Sequence, residues 1–174
     1  MSKVTIRKAQ ASDAPSIAAL GAHVFTVTFG HSVTSKDLES FLSQYYTPSA
    51  IADYLSPATK QTLVAVNEAG KIMGFVTLDR ASSEPCVEHL ENLAELARLY
   101  VDTSAHGQGV GTLLSKAVEQ LARDEGYKNM WLGVWEENHK AIKAYERWGY
   151  KPVGDHSFFL GSEEQTDLIF AKAL

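Results

Sequence analysis

Apolar residues recur at two different spacings along the chain, and the change between them divides it. After a short strand-like run at 4–7, Ile17, Leu20, Val24 and Phe25 recur at helical spacing behind Ser12, Asp13 and Pro15, which form a helix-start signal. Leu38, Phe41, Leu42 and Tyr45 share one side of a second helix opened by Ser35. Thr47-Pro48 begins a third, carrying Ile51, Tyr54 and Leu55 as far as Pro57. The first third of the chain is therefore helical apart from one strand.

From Thr62 the pattern becomes that of strands. Residues 63–66 and 72–78 flank the turn Asn67-Glu68-Ala69-Gly70 and predict an antiparallel hairpin. The polar stretch 81–92, which contains Pro85, reads as a loop or a short helix, and 93–101 as a buried strand. Leu113, Leu114, Ala117, Val118 and Leu121 mark an amphipathic helix closing near Gly126. A strand at 130–135 and a helix at 138–148 follow, the helix ended by Gly149 in a left-handed cap. Runs at 150–153, 157–160 and 167–171 supply two or three closing strands. This order predicts a mixed α/β or α+β architecture, not a helical bundle.

Composition narrows the functional classes. The 174 residues are 45% apolar and 21% charged, which suits one soluble domain spanning 1–174. Sixteen basic against 21 acidic residues give a net charge of -5, which disfavours a broad nucleic-acid-binding surface. Neither a signal-peptide stretch nor a membrane-length apolar run is present, so the expectation is a cytoplasmic protein with no membrane partner. The lone Cys86 excludes an internal disulfide and reads as a small, partly buried side chain. His23, His31, His89, His139 and His156 lack metal-ligand spacing, so no metal is expected. A homodimer is the base-rate expectation for assembly.

The stretch Tyr100-Val101-Asp102-Thr103-Ser104-Ala105-His106-Gly107-Gln108-Gly109-Val110-Gly111 lies between a strand and a helix and carries three alternating glycines. Glycine permits positive φ and close approach of a ligand, so such a turn can aim successive N–H groups into one concavity. The helix behind it adds unpaired amides and partial positive charge, which together suit a pyrophosphate. A P-loop would need Gly-Lys-Ser/Thr, but Thr112 and Leu113 follow Gly111; a dinucleotide fingerprint would need Gly or Ala where Thr112 stands. A turn that merely caps a helix is the alternative.

These residues resemble the Gln/Arg-x-x-Gly-x-Gly/Ala turn of the GNAT superfamily of N-acetyltransferases. The likeness continues through 131–136, Asn138-His139-Lys140-Ala141-Ile142-Lys143-Ala144-Tyr145 and Trp148-Gly149-Tyr150, similar to the family's Asn-x-x-Ala-x-x-x-Tyr and Gly-Phe/Tyr signature. The looser N-terminal run Phe25, Thr28, Phe29, Gly30, His31, with 35–38, Tyr45 and the strand 130–136, resembles the PaiA-like polyamine acetyltransferases. The resemblance implies a mostly antiparallel mixed sheet flanked by helices, with acetyl-CoA as co-substrate. It assigns the pyrophosphate to His106, Gly107, Gln108, Gly109, Val110, Gly111 and Thr112, and the pantetheine arm to Leu99, Tyr100, Val101 and Asn138. His106 departs from the family's Gln or Arg; a neutral imidazole can still donate one hydrogen bond to phosphate, and a protonated one adds charge.

Acetyl transfer needs a neutral amine, and an amine with a pKa near ~10.4 pays roughly 4.6 kcal/mol to be neutral at pH 7. Glu95, expected on one strand face with Ala97, Leu99 and Val101, resembles by position the glutamate base of the histone-acetylating branch. A salt bridge to Arg98 or a solvated strand end is the other use of that carboxylate. If the strand splays at Val101, as the resemblance implies, its N–H can polarise the thioester carbonyl. Tyr145 resembles the family's proton donor to the leaving thiolate, and Asn138 is also placed to cap the last helix. Glu84, Glu88, Glu91 and Glu95 form an acidic approach suited to a cationic amine, and Phe25, Phe29, His31, Tyr45 and Tyr46 offer a wall for its aliphatic part. The expected acceptor is a small-molecule amine. Acetylation of protein lysines or N-termini, and binding of acetyl-CoA by a regulatory module without turnover, are the competing functions.

Overall fold

A computed structural model describes residues 3–174. Strand β1 (Val4–Lys8) leads into helix α1 (Ala14–Phe29), with Pro15 in its first turn, then α2 (Ser35–Tyr45) and α3 (Pro48–Leu55). Both latter starts are fixed by side-chain caps: Thr34 accepts from the Asp37 amide at 3.2 Å and Thr47 from the Ala50 amide at 3.1 Å. The hairpin β2 (Lys60–Asn67) and β3 (Ile72–Asp79) turns where the sequence predicts, with Asn67 Oδ1 accepting from the Ala69 and Lys71 amides and Gly70 at φ +79°. Then come β4 (Leu93–Val101), α4 (Val110–Asp124), β5 (Asn129–Trp135), α5 (His139–Arg147), β6 (Lys151–Leu160) and β7 (Glu163–Ala173). Residues 81–92 form turns and bends, not a helix.

The seven strands form one sheet in the order β1-β2-β3-β4-β5-β7-β6, antiparallel throughout except between β4 and β5. One core lies between the sheet and α4 and α5, built on Leu78, Leu96, Leu114, Val118, Met130, Leu132, Tyr150 and Phe170. The other lies under α1 to α3, around Ile17, Phe25, Tyr46, Ile51, Val64 and Phe75. No helix among the described residues is long and apolar enough to cross a membrane.

Two closing strands form, as the sequence allows: 151–153 and 157–160 run on as one strand, β6, because a register shift between Pro152 and Gly154 is absorbed without ending its pairing to β7. One expectation is corrected here. Within β4, Arg98 takes φ +49°, and the pairs Phe75–Tyr100 and Thr77–Ala97 leave one extra residue on β4. This bulge resets the alternation. Ala94, Leu96, Leu99 and Val101 pack toward α4, while Tyr100 joins the core under α1. Glu95 acts electrostatically on Tyr54 of α3 and so falls on that second side, not with Leu99 and Val101.

Candidate functional site

The parallel pairing of β4 with β5 lasts for three pairs, Leu93–Asn129, Ala94–Met130 and Glu95–Trp131. Beyond them β4 stays with β3 while β5 continues with β7 to Trp135, so the sheet forks after Glu95, six residues earlier than a splay at Val101. The Asp102 amide donates to the Met73 carbonyl at 2.8 Å, which makes 102–73 a hydrogen-bonded pair. Alternation along an antiparallel pair then turns the N–H and C=O of Val101, opposite Gly74, away from β3 and toward the gap.

At the end of β4, Asp102 caps the turn Thr103–Ala105. Its Oδ1 accepts from the Ser104 amide at 2.9 Å and the Ser104 hydroxyl at 2.7 Å, while Lys71 Nζ lies 2.9 Å from Oδ2. These contacts, the Ser104 hydrogen bonds foremost, push its pKa down to about 2. The turn delivers the chain to Gly107 and Gly109, at φ +76° and +81°, where an added Cβ would meet nothing within 4 Å. Among the described residues the amides of Gly107, Gly109, Val110, Gly111 and Thr112 have no hydrogen-bond acceptor. An open concavity of free N–H groups at the positive end of α4 fits a diphosphate.

This turn borders a cavity of about 440 Å³. Its walls include Leu99, Val101, His106, Gly107, Gly109, Val110, Gly111, Thr112, Asn138 and Tyr145, as the sequence leads one to expect. Tyr145 is 7% exposed, packs edge-on against Trp148 and Tyr150, and its hydroxyl has no hydrogen-bond partner among the described residues. Burial holds its pKa well above the ordinary phenol value, so the proton stays on oxygen. Asn138 caps α5 by accepting from the Ala141 amide at 3.3 Å while bordering the same space.

Two expected members stand elsewhere. Tyr100 alternates away from Leu99 and Val101 to the opposite face, its hydroxyl 2.7 Å from that of Tyr46. Gln108 folds back to donate to the Ser104 carbonyl at 2.9 Å. The structure adds wall residues that the motif reading missed: Val24 and Thr28 from α1, Lys140, Arg147 and Trp148. Lys140 and Arg147 sit seven apart on α5, a spacing that gives one helix face; that this face meets the glycine turn is a tertiary fact.

On the other side of the fork, Glu95 is enclosed. Burial foremost, with Asp79 and Glu84 adding, pushes its carboxyl up to about 7 against the opposing effects of Ser82 and Lys60. It makes no ion pair with Arg98, whose guanidinium instead lies 3.9 Å from the Tyr54 ring centroid and leaves one buried terminal nitrogen unpartnered. Asp167 on β7, opposite Trp135, is half-buried, and desolvation pushes it up to about 6, with Glu84 raising it further and His156 lowering it. Glu84 pairs with His156 at 3.3 Å. Glu88 and Glu91 are exposed, so the acidic run divides into two participants and two solvated residues. Phe25 is buried in a stack with Phe29 and Phe41, and Phe29 continues it to Trp135 at 4.7 Å, with His31 5.7 Å from the same ring. Phe25 is therefore core, whereas Phe29 and His31 reach the β5 side of the fork. Cys86 is half-buried against Val87, Trp131 and Ile169.

The chain matches the Acetyltransferase (GNAT) family over residues 30–150. It is 28% identical over 176 aligned positions to the uncharacterized N-acetyltransferase in the pepI 3' region of Lactobacillus delbrueckii subsp. lactis, covering 100% of this chain and 99% of that protein. It is 32% identical over 106 residues to the mycothiol acetyltransferase of Jonesia denitrificans, covering 61% of this chain and 32% of that one. Its fold is similar to the crystal structure of the PaiA N-acetyltransferase from Thermoplasma acidophilum in complex with coenzyme A, with a TM-score of 0.77, 21% identity and 99% of each chain covered.

Proposed function

The chain belongs to the acetyltransferase (GNAT) family, acetyl-CoA-dependent N-acetyltransferases, and we propose that its acceptor is a small cationic amine such as a polyamine, acetylated by direct transfer in a ternary complex. The observation that carries this reading is the fork itself. The open glycine turn lies at the end of β4, the outward-facing amide of Val101 lies beside it, and a half-buried carboxylate, Glu95, lies at the root of the gap on the other face.

Acetyl-CoA supplies the activated acetyl thioester. The free amides at Gly107 and 109–112 hold its diphosphate, and Leu99, Val101 and Asn138 line the path of the arm. The Val101 N–H polarises the thioester carbonyl. Glu95, its carboxyl pushed up to about 7, takes the proton that the incoming ammonium sheds, passed along waters in the gap because six strand residues separate it from Val101. Tyr145, kept protonated and without a competing partner, returns a proton to the leaving sulfur.

Selection of a cation is supported by the gathering of carboxylates on the acceptor side, where Glu84 helps push up both Glu95 and Asp167. Crowded carboxylates lower the free energy of a bound ammonium and reject an anion. Trp135, Phe29 and His31 supply the apolar wall for an aliphatic chain. Purified protein is mixed with acetyl-CoA and a panel of polyamines, aminoglycosides, amino acids and peptides, following free thiol and product mass. Release greatest with polyamines supports the assignment. Peptide turnover exceeding small-amine turnover refutes the acceptor class, and binding of acetyl-CoA without thiol release from any amine refutes the catalytic reading.

A further inference from the structure

The position at which the family places Gln or Arg is occupied by a histidine whose two ring nitrogens are both engaged. His106 Nε2 lies 3.1 Å from the Val101 carbonyl oxygen, and Nδ1 lies 2.9 Å from Nζ of Lys140. A carbonyl oxygen can only accept and an ammonium can only donate, so the ring carries its proton on Nε2 and presents a lone pair on Nδ1. His106 thus has no N–H left for a phosphate. Lys140 uses one of its three N–H groups on the imidazole and retains two, at the wall of the cavity that the free amides border. Both side chains are exposed and neither belongs to a core cluster, so packing does not account for the pair.

Resting on the co-substrate reading above, we propose that Lys140 is the side-chain cation that grips the diphosphate of acetyl-CoA. His106 is a positioning residue that ties this cation to the end of β4 and does not itself touch phosphate. The charge that the family pattern draws from within the turn is here supplied from α5, so the tie through Val101 fixes the cation relative to the amide beside the thioester.

The test uses K140M, H106A and the double variant, with CoA affinity by calorimetry at two ionic strengths and steady-state kinetics with two donors, acetyl-CoA and S-acetylpantetheine, which lacks the diphosphate. Expected are a rise of about tenfold in Kd for CoA on K140M and a weaker salt dependence, as loss of one charge-assisted contact implies. H106A is expected to weaken CoA by a smaller factor, and the double variant to be no worse than K140M alone. K140M should lose far more with acetyl-CoA than with S-acetylpantetheine. An unchanged Kd on K140M, or equal losses with both donors, overturns the assignment of Lys140. Strictly additive losses from the two substitutions overturn the role of His106. If the parent protein itself fails to bind CoA, the co-substrate reading falls first; binding by the parent with an indifferent K140M removes this inference alone.

Discussion

Replacing Glu95 by Gln should lower activity and raise stability, and the two effects should share one pH axis. Burial moves this carboxyl from 4.5 to about 7. The folded state therefore holds the proton more tightly than the unfolded chain does, and stability is lost as pH rises from about 4.5 to about 7. The shift corresponds to about 3 kcal/mol, all of it expressed above the folded pKa. Glutamine removes the charge but keeps the shape, so at pH 8 the variant should gain about 2 to 3 kcal/mol, or roughly 5 to 10 °C in Tm for a chain of this length. Below pH 4.5 the two proteins should melt together. Activity should move the other way: the parent kcat/KM should rise about tenfold between pH 6 and pH 8 as the carboxylate forms, and the variant should lose this rise and fall by roughly 10²-fold to 10⁴-fold. Thermal melts and initial rates over pH 4 to 9 check both. A gap in Tm that does not vary with pH would refute the burial argument, and an unaltered pH–rate profile would refute the base.

Tyr145→Phe should lower kcat by about 10²-fold with unchanged CoA affinity and little change in Tm, because the hydroxyl has no protein partner to lose; isothermal titration beside steady-state rates tests this. Gly109→Ala forces a side chain into φ +81° where space is otherwise open, so it should cost about 1 to 2 kcal/mol in chemical denaturation and weaken CoA by misaiming the neighbouring amides. Gly74→Ala puts a methyl 2.8 Å from the Tyr100 carbonyl oxygen and 2.9 Å from Leu114, so β3 must move from β4; a loss of about 1 to 3 kcal/mol in urea unfolding is expected. Glu119→Ala deletes a buried acceptor from Lys172 at 2.8 Å and Tyr150 at 3.1 Å, and should cost about 3 kcal/mol in the same measurement.

Where structure follows from local chemistry, the sequence was enough. Thr47-Pro48, Asn67 with Gly70, and Gly149 each fix a boundary through a cap or a positive φ that few other residues provide, and the glycine turn announces itself in the same way. Features set by register were not legible. Arg98 is a poor residue for φ +49°, so nothing at that position signals a bulge, and simple alternation consequently put Glu95 on one face with Leu99 and Val101. The pattern leaves open whether 150–153 and 157–160 make one strand or two, and pairing to β7 settles it as one. The approach of Lys140 to His106 depends on how α5 docks, 34 residues away in the chain, so no local pattern announces it.

In the proposed mechanism the bulge keeps the base and the activated thioester apart. With unbroken alternation Glu95 would point toward α4, beside Leu114 and Val118 and on the same side as the arm-binding residues Leu99 and Val101. It would then be desolvated by that core and would compete with the donor for one cavity. The extra residue moves the carboxyl to the α3 face and leaves the donor wall intact, so the proposed amine and thioester would approach the gap between β4 and β5 from opposite sides. The arrangement carries a local cost: about 1 to 2 kcal/mol for a non-glycine residue at positive φ, and about 1 to 3 kcal/mol for the unpartnered guanidinium nitrogen of Arg98. Stacking on Tyr54 and Tyr46 offsets part of it. A conflict of this kind persists where the geometry it produces is used, and here it separates the two reactants until they meet at the fork.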